Sequence, residues 1–333
     1  MDTQHPIRIA AYDEPEALEH GIPGVRMRVT PLARAPFQAR LVTWALDGIV
    51  FQTGACSPAL IEFATGADVS VLQIPLLNRQ HLVLNGRLAA GQVAGLYGGG
   101  ALLHRANHLP GTYGTLVVPM QAADALLCPP PGLALTRPRA DGLLTVDPGA
   151  WRQAAAIITA CLDAADAGMQ DAPLSGLRAS LLEAARGVLA HGADREPARR
   201  LRARRGWVRI VAGAEAFLHA YPARPIYTEQ LCAALAISPA SLSEAFRQVL
   251  GITPHRFLKL RRMAMVRAVL GGAEGPAPLV KSVALDHGFW HMGQFALDYR
   301  ALYGETPTET LARRGPVGAA RAAGPGILTL RAG

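Results

Sequence analysis

Three histidines, His81, His104 and His108, have the residue type for metal chemistry, and four cysteines, Cys56, Cys128, Cys161 and Cys232, the type for metal or redox chemistry. His104 and His108 are four residues apart, a spacing that sets them on one face of a strand. A catalytic metal needs a third ligand, and no Glu occurs between residues 105 and 182 to supply it. The cysteines form no CxxC pair and are too dispersed for a zinc or disulfide-exchange site, so they read as small apolar packing residues. No serine, histidine and aspartate stand in the context of a nucleophile relay. The run Gly98-Gly99-Gly100 does not open a helix after a strand, so it marks turns and not a phosphate loop. These residues imply no enzyme, no metal and no cofactor.

Positive charge is better organised. The chain of 333 residues carries a net charge of +8. From residue 191 onward it holds 20 Lys and Arg against 10 Asp and Glu, whereas residues 1–190 hold 13 against 15. An excess confined to one part points to an anionic partner, either nucleic acid or a membrane surface.

Within the basic part, Phe246-Arg247-Gln248-Val249-Leu250-Gly251-Ile252-Thr253-Pro254 returns as Tyr299-Arg300-Ala301-Leu302-Tyr303-Gly304-Glu305-Thr306-Pro307, a constant offset of 53. Leu242 falls on Phe295 and Ser238 on His291 at the same offset. Leu242 and Phe246 share one helical face. Gly251 and Gly304 suit the left-handed residue that ends a helix, and each following Thr-Pro pair caps and opens the next one. Upstream, Thr228 is expected to cap a short helix with Leu231, Ala234 and Leu235 facing the core. Ile237 fills a turn and Ser238 caps a second helix, which makes a helix-turn-helix. In the second copy Val283 and Ala284 lie on the first helix, Gly288-Phe289 makes the turn, and residues 291–303 form the second helix. Between the copies, residues 254–270 read as one amphipathic helix, apolar at Phe257, Leu258, Leu260, Met263, Val266 and Leu270 and basic elsewhere. At about 1.5 Å per residue this rod is roughly 25 Å long, suited to holding two helices in successive major grooves about 34 Å apart. The membrane-surface reading falls away because the apolar face of that helix is needed for the core.

The elements before residue 191 have a different texture. Apolar runs at 25–30, 40–46, 48–53, 69–75, 81–85, 92–97 and 115–118, broken by Gly, Pro and Asn, predict strands of a sandwich or barrel. From 148 to 191 apolar residues recur at helical steps: Trp151, Ala155, Ile158, Cys161 and Leu162, then Leu174, Leu177, Leu181, Leu182, Ala185 and Leu189. Such a pair of helices either covers the open side of a barrel or forms a subunit interface. Residues 192–205 have few apolar groups and six arginines, and read as a linker. Residues 315–333 read as a flexible tail. No run of about 18 apolar residues occurs and the amino terminus lacks a signal-peptide pattern, so a cytoplasmic protein is expected.

The segments LCAALAISPASLSEAFRQVLGITPHRFLKLRRM and SVALDHGFWHMGQFALDYRALYGETPTETL resemble the AraC/XylS family of bacterial regulators, over residues 205 to about 311. The resemblance implies an α+β multidomain protein. Residues 1–147 would be a cupin-like β-barrel that senses an effector, 148–191 a helical dimerisation segment, and 206–314 an all-α domain of two helix-turn-helix units. Carried over residue by residue, it assigns base reading to Ala240, Ser243 and Glu244 in the first unit and to Met292, Gly293, Gln294 and Leu297 in the second. It assigns backbone contacts to Ser238, Arg247, Arg256, Arg262, Lys281, His291 and Arg300. Glu244 stands where Arg is frequent, and Lys281 where a Ser or Thr cap is usual. Trp290-His291 replaces small polar residues, so the second entry turn is expected to be tighter and more apolar. Gln294 has the side chain for adenine readout.

The combined expectation is a homodimeric transcriptional regulator, an activator by family habit, that binds double-stranded promoter DNA, with RNA polymerase as a further partner and no membrane role. Trp44, His81, Tyr97, His104 and Tyr113 have the types to line a half-apolar effector pocket. One alternative is an amino-terminal domain that only dimerises or binds a protein. A more distant one is a cupin-type metalloenzyme fused to a DNA-binding domain.

Overall fold

Apolar, β-branched runs separated by glycine turns make twelve strands among the residues that this computed structural model describes, which are 7–19, 25–32, 35–76, 81–127, 143–168, 174–190, 198–221, 224–272 and 277–313. The strands are β1 (Ile7–Tyr12), β2 (Val25–Pro31), β3 (Ala39–Leu46), β4 (Ile49–Cys56), β5 (Ala59–Thr65), β6 (Val69–Pro75), β7 (Leu82–Leu84), β8 (Arg87–Leu88), β9 (Val93–Tyr97), β10 (Leu102–Asn107), β11 (Gly111–Pro119) and β12 (Leu143–Thr145). They form two antiparallel sheets, one ordered β1-β3-β4-β11-β6-β9-β12 and one ordered β2-β5-β10-β7-β8. Val29, Leu41, Ile61, Phe63, Val71 and Leu103 fill the space between them. Both sheets keep their edges among the described residues, so the expected closed cupin-like barrel is instead an open two-sheet sandwich. Two of its edges are strands of only two and three residues, too short to pair onward.

Side chains of a strand alternate between faces, and each sheet therefore has a second face to cover. Two short helices, α1 (Pro15–Glu19) and α2 (Met120–Leu127), lie among the strands. On the seven-stranded sheet Trp44, Phe51, Leu72, Ile74 and Leu116 turn away from the sandwich and are buried by α3 (Pro148–Asp166) and α4 (Leu174–Ala190) through Ile158, Cys161, Leu181, Leu182 and Leu189. The apolar stripe of the helical pair thus covers the sheet. Along its outer face α3 leaves Arg152, Gln153, Ala156, Thr159, Ala160, Asp163 and Asp166 exposed.

The arginine-rich run is not an irregular linker from Ala198 onward. It is the first half of α5 (Ala198–Ala220), since Arg and Ala are strong helix formers and need no apolar periodicity to be helical. Arg204 within it is 1% exposed and donates from Nη1 to the Asn85 carbonyl at 3.4 Å.

The carboxyl-terminal helices follow the repeat. In the first unit α6 (Thr228–Leu235) leads to α7 (Pro239–Leu250). The rod α8 (Pro254–Gly271) then joins α9 (Val280–Asp286) and α10 (Met292–Tyr303), with α11 (Pro307–Ala312) last. Ser238 Oγ caps α7, Thr253 caps α8 and Thr306 caps α11, each accepting a backbone N–H three residues on. Gly251 and Gly304 end α7 and α10 at φ +69° and +75°. Thr228 is not a cap: it is already helical, and Tyr227 precedes it with its N–H donated to Gln230 Oε1 at 2.9 Å.

The five-stranded sheet turns its outer face to this domain. Leu32, Leu60 and Ala106 join Val211, Leu242, Phe246, Val249 and Phe257 in one core. Ala106 is fully buried there. Ala106→Asp puts an unpaired carboxylate into that shared core, at a cost of several kcal/mol. Calorimetry should then show a lowered transition that splits in two, where the parent melts in one.

Candidate nucleic-acid interface

Each helix-turn-helix ends its first helix with the same pair of backbone bonds. In the first unit Ile237 N–H donates to the Cys232 carbonyl at 3.1 Å and Ala236 N–H to Ala233 at 3.3 Å. In the second, Phe289 N–H donates to Ala284 and Gly288 N–H to Leu285, both at 2.9 Å. The left-handed residue is Ala236 (φ +51°) in one and Gly288 (φ +76°) in the other. The first helices therefore superpose at an offset of 52 and the second helices at 53, which leaves one residue over. That residue is Trp290, 73% exposed, so the second entry turn is longer than the first and not tighter. His291 takes the N-cap position of α10 without a side-chain cap bond.

The base-reading candidates of the first unit lie on one side of α7, with Ala240 and Glu244 exposed and Ser243 half-buried, while Leu242, Ala245 and Phe246 face inward. Glu244 Oε1 accepts from Gln248 Nε2 at 2.8 Å. In the second unit Gly293, Gln294 and Leu297 are exposed and Met292 packs partly on the core. A Cβ on Gly293 would meet nothing within 4 Å, so the surface there is open to close approach. Gln294 Nε2 donates to Asp298 Oδ1 at 3.0 Å, and Asp298 Oδ2 pairs with Lys259 Nζ of α8 at 2.6 Å. The amide is held pointing along the helix.

The backbone-contact candidates divide. Arg247, Lys281, His291 and Arg300 are exposed, and Ser238 is the cap just described. Arg256 Nη2 donates to the Leu32 carbonyl at 3.3 Å. Arg262 is 9% exposed, its guanidinium 5.0 Å from the Tyr227 ring centroid and 5.3 Å from that of Phe289. It knits the two units together and faces no solvent-side phosphate.

The effector-pocket candidates are not brought to one place. Tyr113 and His81 line a cavity between the sheets with Gln73 and Arg105. Tyr97 is buried in the core between the sheets, and Trp44 packs under the helices on the far face. His104 is on the opposite face of β10 from Arg105 and pairs with Glu215 of α5, buried at the domain contact. Glu62 and Arg28 stand beside it in register across β5 and β2. Arg261 and Glu215 complete the walls, and His219 Nε2 lies 3.9 Å from Glu62. Burial pushes the Glu62 carboxyl up to about 7, aided by Glu215 and opposed by His104, Arg28 and Arg261. Burial opposes charge on His104, but the charge and hydrogen bond of Glu215, with Glu62, hold its pKa above the ordinary value. Sequence reasoning missed Glu62, Glu215 and Arg105; a charged residue amid an apolar strand, as in Leu103-His104-Arg105-Ala106, was the available signal. Among the described residues no group of three His, Cys, Asp or Glu is placed to hold a metal, and no helix is long and apolar enough to cross a membrane.

Residues 231–313 match the helix-turn-helix domain family. The chain is similar to XylDLEGF operon transcriptional activator 1 of Pseudomonas putida, 38% identical over 91 residues, which are 27% of this chain and 28% of that protein. Activator 2 of the same operon and organism is 40% identical over 88 residues, covering 26% of this chain and 56% of the relative. The chain thus spans between a quarter and somewhat over half the length of these relatives. A solved structure of a probable AraC family transcriptional regulator from Rhodopseudomonas palustris is 36% identical, covering 32% of this chain and 99% of that one, with a TM-score of 0.30.

Two of the perturbed groups at the domain contact, Glu62 and His104, act on stability in one direction. Glu62 has its folded pKa raised from 4.5 to about 7, so its contribution is complete below 4.5 and is lost as pH rises through about 7. His104 is raised above 6.5, so its contribution is complete below 6.5 and is lost as pH rises through the raised value. Glu62→Gln removes the first of these. Its melting temperature should fall less than that of the parent between about pH 5 and about pH 8, as followed by circular dichroism.

Proposed function

Because this chain belongs to the AraC/XylS family of transcriptional regulators through its carboxyl-terminal domain, we propose that it is a sequence-specific DNA-binding regulator, an activator like the relatives it matches, whose amino-terminal sandwich senses a small molecule. The observation that carries the DNA-binding reading is the pair of exposed helix faces on α7 and α10, presented by two units with the same end bonds, the same glycine terminators and the same Thr-Pro restarts. Arg247 and Arg300 occupy equivalent exposed positions on them, next to the base-reading faces, where they suit phosphate contact. Gln294 would read adenine once released from Asp298, and Glu244 would accept from a cytosine amino group. Gly293 and Leu297 would give close approach and methyl contact.

The effector reading is supported by the space between the sheets and by the packing of the five-stranded sheet directly on α5, α7 and α8, which gives a bound molecule a short route to the reading heads. Dimerisation by the outward faces of α3 and α4 belongs to the same proposal. Sedimentation of the full chain tests it.

Selection of random duplexes by the full chain, sequenced at two salt concentrations, should enrich two blocks about one helical turn apart. Gln294→Ala should relax preference at one position by about 1–3 kcal/mol. Arg247→Ala should instead weaken all sequences alike and reduce the salt slope by about one. A selection that enriches no motif, or two variants with the same effect on specific and non-specific duplexes, refutes the assignment.

A further inference from the structure

At the position where α7 exposes Glu244, α10 exposes Leu297, 67% open to solvent. Leu297 stands one helical turn from Gly293, Gln294 and Arg300, in the middle of the outward face. Trp290, more exposed still, lies just before that helix, at the residue the second unit has in excess of the first. The core of the unit is closed by other residues, Phe289, Phe295, Tyr299 and Leu302. Two large apolar side chains held in water are a loss to the free protein that a partner recovers on contact.

The surroundings of the pair identify that partner. Residues 289–303 hold a single acid, Asp298, which Lys259 Nζ pairs at 2.6 Å, and Arg300 borders the same face. A cationic rim about an apolar centre suits a polyanion that carries apolar groups, and the face is continuous with the base-reading residues. The first residues of a recognition helix are the ones that meet base edges. In the major groove the apolar group of a base edge is the C5 methyl of thymine. Resting on the DNA-binding reading above, we infer that the second unit reads thymine by its methyl group. Leu297 packs on one thymine methyl, and Trp290, set outside the helix by the longer turn, packs on a second in the same block. A Cβ on Gly293 would meet nothing within 4 Å, so the base edge can approach the backbone between them. The amide of Gln294 reads adenine in the same A·T pairs, and the three side chains thus select one kind of pair from both strands. The first unit, with Ser243 and Glu244 on its face, reads by hydrogen bonds.

The test starts from the duplex that the full chain selects. Each thymine is replaced in turn by uracil, which removes the methyl and keeps every hydrogen-bonding group. At two thymines of the block in which Gln294→Ala relaxes its preference, uracil should weaken binding about fourfold, the effect of one buried methyl group. Leu297→Ala should abolish the uracil effect at one of them and Trp290→Ala at the other, with Trp290→Phe retaining part of it. Both alanine variants should melt with the parent, since neither side chain is in the core. A block without thymine, uracil tolerated throughout that block, or a uracil effect undiminished in either alanine variant overturns the proposal. Where a motif has been enriched, such an outcome removes the methyl reading and leaves DNA recognition standing. A selection that enriches no motif removes both.

Discussion

The alternation of side chains along β10 is the constraint on which both halves of this protein depend. Leu103 and Arg105 enter the sandwich, while His104 and Ala106 face the carboxyl-terminal domain. A slip of one residue would exchange these roles, placing His104 among apolar side chains and Arg105 against α5. Asn85 prevents that slip. Its Oδ1 accepts from His104 N–H at 2.7 Å and its own N–H donates to the His104 carbonyl at 2.8 Å, so one residue fixes the strand on both sides of its peptide plane. The same Asn85 carbonyl receives Arg204 of α5, and the register of the strand and the seating of the domain are thereby tied to one another.

Attraction and specificity at the domain contact come from different residues. Leu32, Leu60 and Ala106 against Val211, Phe246 and Phe257 supply apolar burial, which favours contact but tolerates sliding. The His104–Glu215 pair lies inside that apolar frame. A buried ion pair adds little net stability over apolar packing, because desolvation offsets most of its attraction. Separating the two groups within the frame would leave each charge buried alone, and that penalty selects one docked arrangement over its neighbours. Glu62, Arg28 and Arg261 extend the pair into a small network whose charge state changes with pH.

The sequence exposed the carboxyl-terminal domain more fully than the sandwich. Caps, terminators and apolar faces repeat there, and repetition separates a signal from chance. The repeat was legible in α7 and α10 but concealed the extra turn residue, because the motif that fixes the offset begins after Trp290. Strand β6 is legible to the residue, since Gly66 and Asp68 precede it and Pro75 ends it. β5 and β10 were not among the expected strands, because Ala59–Thr65 and Leu102–Asn107 lack a simple alternation of polar and apolar types. Both are buried on two faces, one in the sandwich and one under the helices, so Glu62, His104 and Arg105 sit where water does not dictate residue type. A pattern that depends on one wet face fails for such strands. The arginines of α5 misled for the opposite reason: Arg199, Arg200, Arg202 and Arg205 are exposed helix formers, and a helix turn that is polar nearly all round carries no apolar period.

The two reading helices are not carried by α8 alone. The first unit is fastened to the sheet through the core around Phe246. The second is reached from the amino-terminal domain by Glu14 and Glu16, which pair with Arg267 at 3.2 and 3.5 Å while Glu305 holds the same guanidinium at 2.8 Å. Arg267 lies on α8 and Glu305 just after α10, so one cation joins the rod, the second unit and the segment after β1. Two rigid helices can enter successive grooves only at a fixed separation and tilt. With both units braced on the amino-terminal domain, that separation is a property of the whole chain. On the effector proposal above, a ligand's differential affinity for the braced and released arrangements, and not its distance from the DNA, would set how far it shifts the separation of the two helices.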